Sequence, residues 1–103
     1  FIATRNLVEL CRRYPRYFFD RPDISTYFGE PEFYRAQMRR YRQAGQYNPT
    51  SPEAYAIEAY SAWALNDIPR ARQALARLGE LSSGATIEQD MRIVRGAIEP
   101  SLE

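Results

Sequence analysis

The chain reads as an all-α protein, a small bundle of about five helices folded as antiparallel hairpins. Three observations predict this. Apolar residues recur at spacings of three and four along most of the chain. Ser51-Pro52-Glu53 is a strong helix start, with a capping hydroxyl, a proline at the first helical position and a carboxylate in the first turn. The stretch that follows is apolar nearly all round, and such a helix must be covered on several sides.

The first helix is expected from Thr4 to about Tyr14, where Ala3, Leu7, Leu10, Cys11 and Tyr14 form one stripe. Pro15 ends it. Residues 16–31 are loop-like but strongly aromatic, so they are expected to pack onto the core. Within them a short helix near Ile24 to Phe28 is expected, capped by Asp23. The next helix spans Pro31 to Gln43 with Tyr34, Met38 and Tyr41 inward, and Gly45 is its natural stop.

After the turn Asn48-Pro-Thr-Ser-Pro, the helix Pro52 to Leu65 has only Glu53, Glu58 and Ser61 as polar interruptions, and its alanines allow close approach. It is expected to be central. Asn66-Asp67 make the next turn. The following helix runs to Leu78, with Ile68, Ala71, Ala74, Leu75 and Leu78 facing the core and Arg70, Arg72, Gln73 and Arg77 facing water. Gly79 closes it. Thr86 and Gln89 read as a capping box, and Ile87, Met91, Val94 and Ile98 form the stripe of the last helix.

The 103 residues suffice for one domain with its own core, and residues 1–103 are taken as one helical unit. A hydrophobic share of 45% and a charged share of 26% belong to a globular chain. No stretch approaches the roughly 20 apolar residues of a membrane span, so no membrane partner is expected. The start has neither the basic residues nor the apolar run of a signal peptide. Phe1 reads as a trimmed start or the boundary of a longer chain. A single cysteine, Cys11, rules out an internal disulfide framework and fits a reducing, cytoplasmic setting, where it is expected to be a buried, inert thiol.

The segment from Pro52 to Leu78 resembles a tetratricopeptide repeat, a two-helix unit of 34 residues. Tyr55 falls at the family's first aromatic position, Ala59 at its small position and Ala62 at its next packing position. Asn66-Asp67 fall at its turn, and Ala71, Leu75 and Leu78 in its second helix. Pro49, Tyr41 and Ala44 match parts of a preceding unit. Glu58 departs from the pattern at a usually apolar position, and the chain from Thr86 fits a further unit poorly. The resemblance implies a small repeat-like α-α superhelix or bundle. It also implies that Glu53, Ala56, Tyr60 and Trp63 occupy groove-lining positions of the first helix of a hairpin.

Reactive chemistry is scarce. Histidine is absent, and all 14 basic residues are arginine, so the commonest general base and any lysine nucleophile are missing. The glycines are dispersed and form no phosphate-cradling loop. One cysteine without histidine makes neither a protease pair nor a Cys/His zinc site. Asp20 with Asp23 and Glu30 with Glu32 are local carboxylate pairs read as solvated loop charge or helix caps. No catalytic residue, cofactor or metal is expected.

These absences direct attention to surfaces. Tyr60 and Trp63 share a helical face and are either partner anchors or core. Arg35, Arg39 and Arg42 line one face of the second main helix and, with Arg12, Arg13 and Arg16, either form a solvated flank or meet an acidic partner. The leading expectation is a non-enzymatic adaptor, chaperone-like or inhibitory domain that binds a protein or peptide through a groove or face, using Glu53, Tyr60, Trp63, Arg35, Arg39 and Arg42. Nucleic-acid binding through the Arg/Tyr face and a role as an accessory domain of a larger enzyme are the alternatives. Self-association is left open. The net charge of +1 supplies no global field toward nucleic acid.

Overall fold

A computed structural model describes residues 2–20 and 29–103. The expected short helix at 24–28, with its cap Asp23, lies outside the described residues. The chain is all-helical, with no strand among the described residues. Its elements are α1 (Ile2–Arg13), the single turn α2 (Tyr17–Asp20), α3 (Pro31–Arg42), the single turn α4 (Ala44–Tyr47), α5 (Pro52–Ala64), α6 (Ile68–Ser82) and α7 (Glu88–Ile98). A closing 3-10 turn spans Glu99–Leu102.

Helix α5 is the hub, and α1, α3, α4, α6 and α7 all pack on it. Its start forms as the residues dictate: the Ser51 hydroxyl accepts the Ala54 N–H at 3.3 Å, and Pro52 opens the first turn. Ala54, Ala56, Ala59 and Ala62 are buried around its circumference, and their small side chains let backbones on different sides come close. Helix α3 runs antiparallel to it, because Tyr34 near the start of α3 donates its hydroxyl proton to the Ala64 carbonyl at 3.1 Å while Gly45 beyond its end meets Tyr55 and Glu58. Helix α1 runs parallel, since Thr4 donates to the Glu53 carbonyl and Leu7 and Leu10 lie beside Ile57 and Tyr60.

The α5–α6 turn is built from the expected pair. Asn66 adopts a left-handed φ of 60°, its N–H donates to the Trp63 carbonyl, and the Asp67 N–H reaches back to the Ala62 carbonyl at 2.7 Å. This double closure satisfies the last carbonyls of α5. Asp67 then caps α6 by accepting the Arg70 N–H at 3.4 Å.

Several expectations are corrected. Along α1 the buried line is Thr4, Leu7, Val8 and Cys11, while Tyr14 is 62% exposed. Packing of α7 beside Val8 and Arg12 turns the stripe away from Tyr14. Gly45 is not a free stop but a close-packing residue of α4: a Cβ there would lie 2.6 Å from a Tyr55 ring carbon and from Glu58 Oε2. Gly79 does not close α6, which continues to Ser82 with Ser82 buried. The Arg95 guanidinium crosses the space a Cβ at Gly79 would need. The Thr86/Gln89 capping box does not form. Helix α7 begins at Glu88 with no side-chain cap, and Glu88 instead accepts the Gly84 N–H at 3.0 Å. Arg70 turns back onto Glu58 and is only partly exposed to water.

Gly96 sits inside α7 with open space where a Cβ would go. Gly96→Ala is expected to stabilise the fold by about 1 kcal/mol, raising the melting temperature by about 4 °C or more in a chain of this length. Thermal unfolding followed by circular dichroism checks it, and an unchanged or lower midpoint contradicts it.

Candidate functional site

Two concavities flank α1. The first lies between α1 and α3 and is floored by α5. Leu7 and Leu10 form one wall, Tyr41 of α3 the other, and Ile57 and Tyr60 the floor, with Asn6 on the exposed rim. Its volume is about 200 Å³, and its lining is mainly apolar. The second, about 300 Å³, lies where α1 meets the starts of α5 and α7. It is polar, and the Arg12–Asp90 pair at 2.9 Å bridges α1 to α7 across it.

Beneath the apolar groove lies an aromatic cluster. Phe18, fully buried from the single turn α2, packs edge-on against Trp63 at 4.7 Å and 75° and against Tyr60 at 6.3 Å and 85°. Tyr17 approaches Trp63 at 5.7 Å, and Tyr60 lies 5.8 Å from Trp63. Edge and tilted arrangements bring positive ring edges to negative ring faces. The expectation that the aromatic segment after Pro15 packs onto the core holds for Phe18, whereas Phe19 is exposed.

The residues expected at a site are not brought together. Tyr60 reaches the groove floor and is half-buried. Trp63 does not line a groove: only 2% of it is exposed, so its place is the core. Glu53 lines the polar cleft, with its backbone carbonyl accepting from Thr4. Arg35 and Arg39 are exposed on α3 and have no carboxylate within 4 Å among the described residues. Arg42 on the same flank is half-buried and pairs with Asp67 at 3.2 Å. Leu7 is buried in the core as its spacing predicts, and it edges the groove together with Leu10 and Tyr41, which are only half-buried.

Electrostatically the groove is neutral. Burial first, then the proximity of Tyr17 and hydrogen bonding to it, and last the proximity of Tyr34 and Tyr41, push the Tyr60 phenol above its ordinary value, so it stays protonated. One helical turn beyond Leu7, the buried Cys11 thiol is pushed up to about 12 from 9.0 by burial, which suits an inert core sulfur. In the unfolded chain this thiol ionises from 9.0 upward, while the folded chain keeps its proton. Above that value the unfolded state binds fewer protons, so stability falls as pH rises from 9.0 toward about 12. Denaturant unfolding at a series of alkaline pH values is expected to show this decline beginning near pH 9, and Cys11→Ala is expected to weaken it. An identical decline in that variant contradicts the assignment.

Among the described residues no group of three or more His, Cys, Asp or Glu is placed to hold a metal ion, and no helix is long and apolar enough to cross a membrane. The fold defines the molecule as a small all-α bundle. No family model, curated protein or solved structure matches the chain.

Proposed function

We propose that this chain is a non-enzymatic protein-interaction domain that takes an apolar segment of a partner into the groove between α1 and α3. The observation that carries the reading is the groove itself, an apolar concavity of about 200 Å³ with Tyr60 on its floor. Sites for drug-sized molecules run from roughly 300 to 1,000 Å³, so a groove below that range suits one or two side chains of a peptide better than a cofactor. Leu10, Tyr41 and Tyr60 offer aliphatic and aromatic area at the rim and floor, the combination that anchors interfaces. The likeness of α5–α6 to a tetratricopeptide hairpin supports the same reading, because the first helix of such a hairpin faces the groove and Tyr60 lies on that helix. As an adaptor, chaperone-like factor or inhibitor, the domain would act by occupying its partner.

The test fills the groove without touching the core. Asn6→Trp places a large ring at the exposed rim and is expected to reduce capture of the native partner at least about tenfold, with helicity unchanged by circular dichroism. Arg77→Ala, at an exposed position of α6 outside the groove lining, is the control and is expected to bind like the parent. Equal capture by Asn6→Trp and the parent, read by quantitative mass spectrometry of the bound fraction, rejects the groove.

A further inference from the structure

We infer that the outward face of α3 is a self-complementary docking surface for a second copy of this chain, an interface separate from the groove. The first observation is how charge is distributed. Arg12, Arg13, Arg70, Arg77, Arg92 and Arg95 each have a carboxylate of the same molecule within 4 Å. On α3, Arg42 is the only arginine with such a partner among the described residues. Arg39, Arg40 and Glu32 are exposed, and none has an ion-pair partner among the described residues. Phe33 beside them is 67% exposed.

The second observation is their order along the helix. At 100° per residue, the outward face of α3 centres on Ala36, exposed and small. Glu32 lies one turn before it and Arg39 almost one turn after, both on one flank. Phe33 and Arg40 occupy the other flank in the same order. A two-fold axis beside Ala36 that sets two α3 helices antiparallel keeps each flank on its own side and reverses its direction. Glu32 then meets Arg39 of the second copy, and Phe33 meets the Arg40 guanidinium of the second copy. By symmetry each pairing occurs twice, as an isologous contact requires. The forked guanidinium suits both carboxylate and ring face. Ala36 against Ala36 lets the two backbones approach.

Charge complementarity selects this occupant over a polyanion. Glu32 stands in the same face as the arginines, so it repels a phosphate backbone but completes a pair in the antiparallel dimer. The area sets the strength. A helix of 12 residues spans about 18 Å, and one such face buries less than the roughly 1,200 Å² of a stable interface. The dimer is therefore weak, assembling at high micromolar protein.

Sedimentation equilibrium of the full chain up to about 1 mM tests this. The parent is expected to show a monomer–dimer equilibrium weakened by salt. Glu32→Arg and Arg39→Glu are each expected to weaken it about tenfold or more, because each sets like charges opposite one another twice. An equimolar mixture of the two variants is expected to regain the parent's association, since every contact then joins opposite charges. The double variant Glu32→Arg/Arg39→Glu is expected to regain it alone. All five positions of the contact are exposed, and unchanged helicity verifies folding. A parent that stays monomeric overturns the inference, as does association untouched by either reversal or not restored on mixing. Retention of a monomeric parent on nucleic acid, strengthened by Glu32→Arg, would give the face to a polyanion and equally overturn it.

Discussion

Trp63→Ala is expected to remove about 4 kcal/mol of stability, the cost of truncating a large aromatic side chain in a packed interior. Small domains hold about 5–15 kcal/mol in total, so this single change brings the fold near its limit. The physical case rests on the ring's surroundings. Trp63 is 2% exposed and touches Phe18, Tyr17 and Tyr60, which come from two different helices and cannot all follow a shrinking side chain. Phe18 loses its closest aromatic neighbour, and the turn α2 loses the partner that holds it against α5. Urea unfolding monitored by circular dichroism measures the effect, and a loss below about 1 kcal/mol would mean that the ring is not a core element. It follows that Tyr60 and Trp63 cannot be treated as a pair of binding anchors. An alanine at Trp63 tests folding, and only Tyr60 is placed to test the groove.

Arg70→Ala is expected to cost about 3 kcal/mol, because it strands the Glu58 carboxylate. That carboxylate belongs to a side chain only 9% exposed and is held by the Arg70 Nε–H at 3.0 Å and a terminal N–H at 2.7 Å. The same guanidinium donates to the Arg42 carbonyl at 2.9 Å, and Arg42 reaches Asp67, so one arginine ties α3, α5 and the α5–α6 turn together. The figure is set at the lower end of the range for broken buried pairs because Arg70 retains about a third of its exposure, leaving water a path to the site. The double variant Glu58→Met/Arg70→Met is expected to recover most of the loss, since an apolar pair leaves no buried charge. If it is as unstable as Arg70→Ala, the pair contributes through shape and not through charge.

This network explains the carboxylate that interrupts α5. Glu58 lies in an otherwise apolar helix, and spacing alone marks it as an anomaly. Its partner is 12 positions away, across a turn. Arg70 lies on what the two-faced pattern of α6 marks as the solvent side. Neither residue announces the other, and only the crossing of α6 against α5 brings them within reach. Gly45 belongs to the same locality, because the absent Cβ leaves room for Tyr55 and Glu58.

Local chemistry settled the secondary structure wherever one residue's geometry decides. The Ser51 cap, Pro52, the left-handed Asn66 and the Asp67 cap all stand as their side chains dictate, because each acts on its own backbone within three or four residues. The inward stripes of α6 and α7 were equally legible, since a helix with one apolar face has one way to turn it. Gly79 and the Thr86/Gln89 pair misled because a glycine or a cap shifts a helix end by only about 1 kcal/mol. Burial of Ser82 and the crossing of Arg95 outweigh it.

From residue order alone came the all-helical class, the central position of the stretch from Pro52 and the scarcity of reactive groups. The tertiary arrangement alone decided which side of α5 Trp63 and Tyr60 occupy, where the groove opens and which charges are matched. The reason is directional. A helix that is apolar all round carries no periodic signal for inside and outside, so its neighbours choose, and those neighbours come from distant parts of the chain.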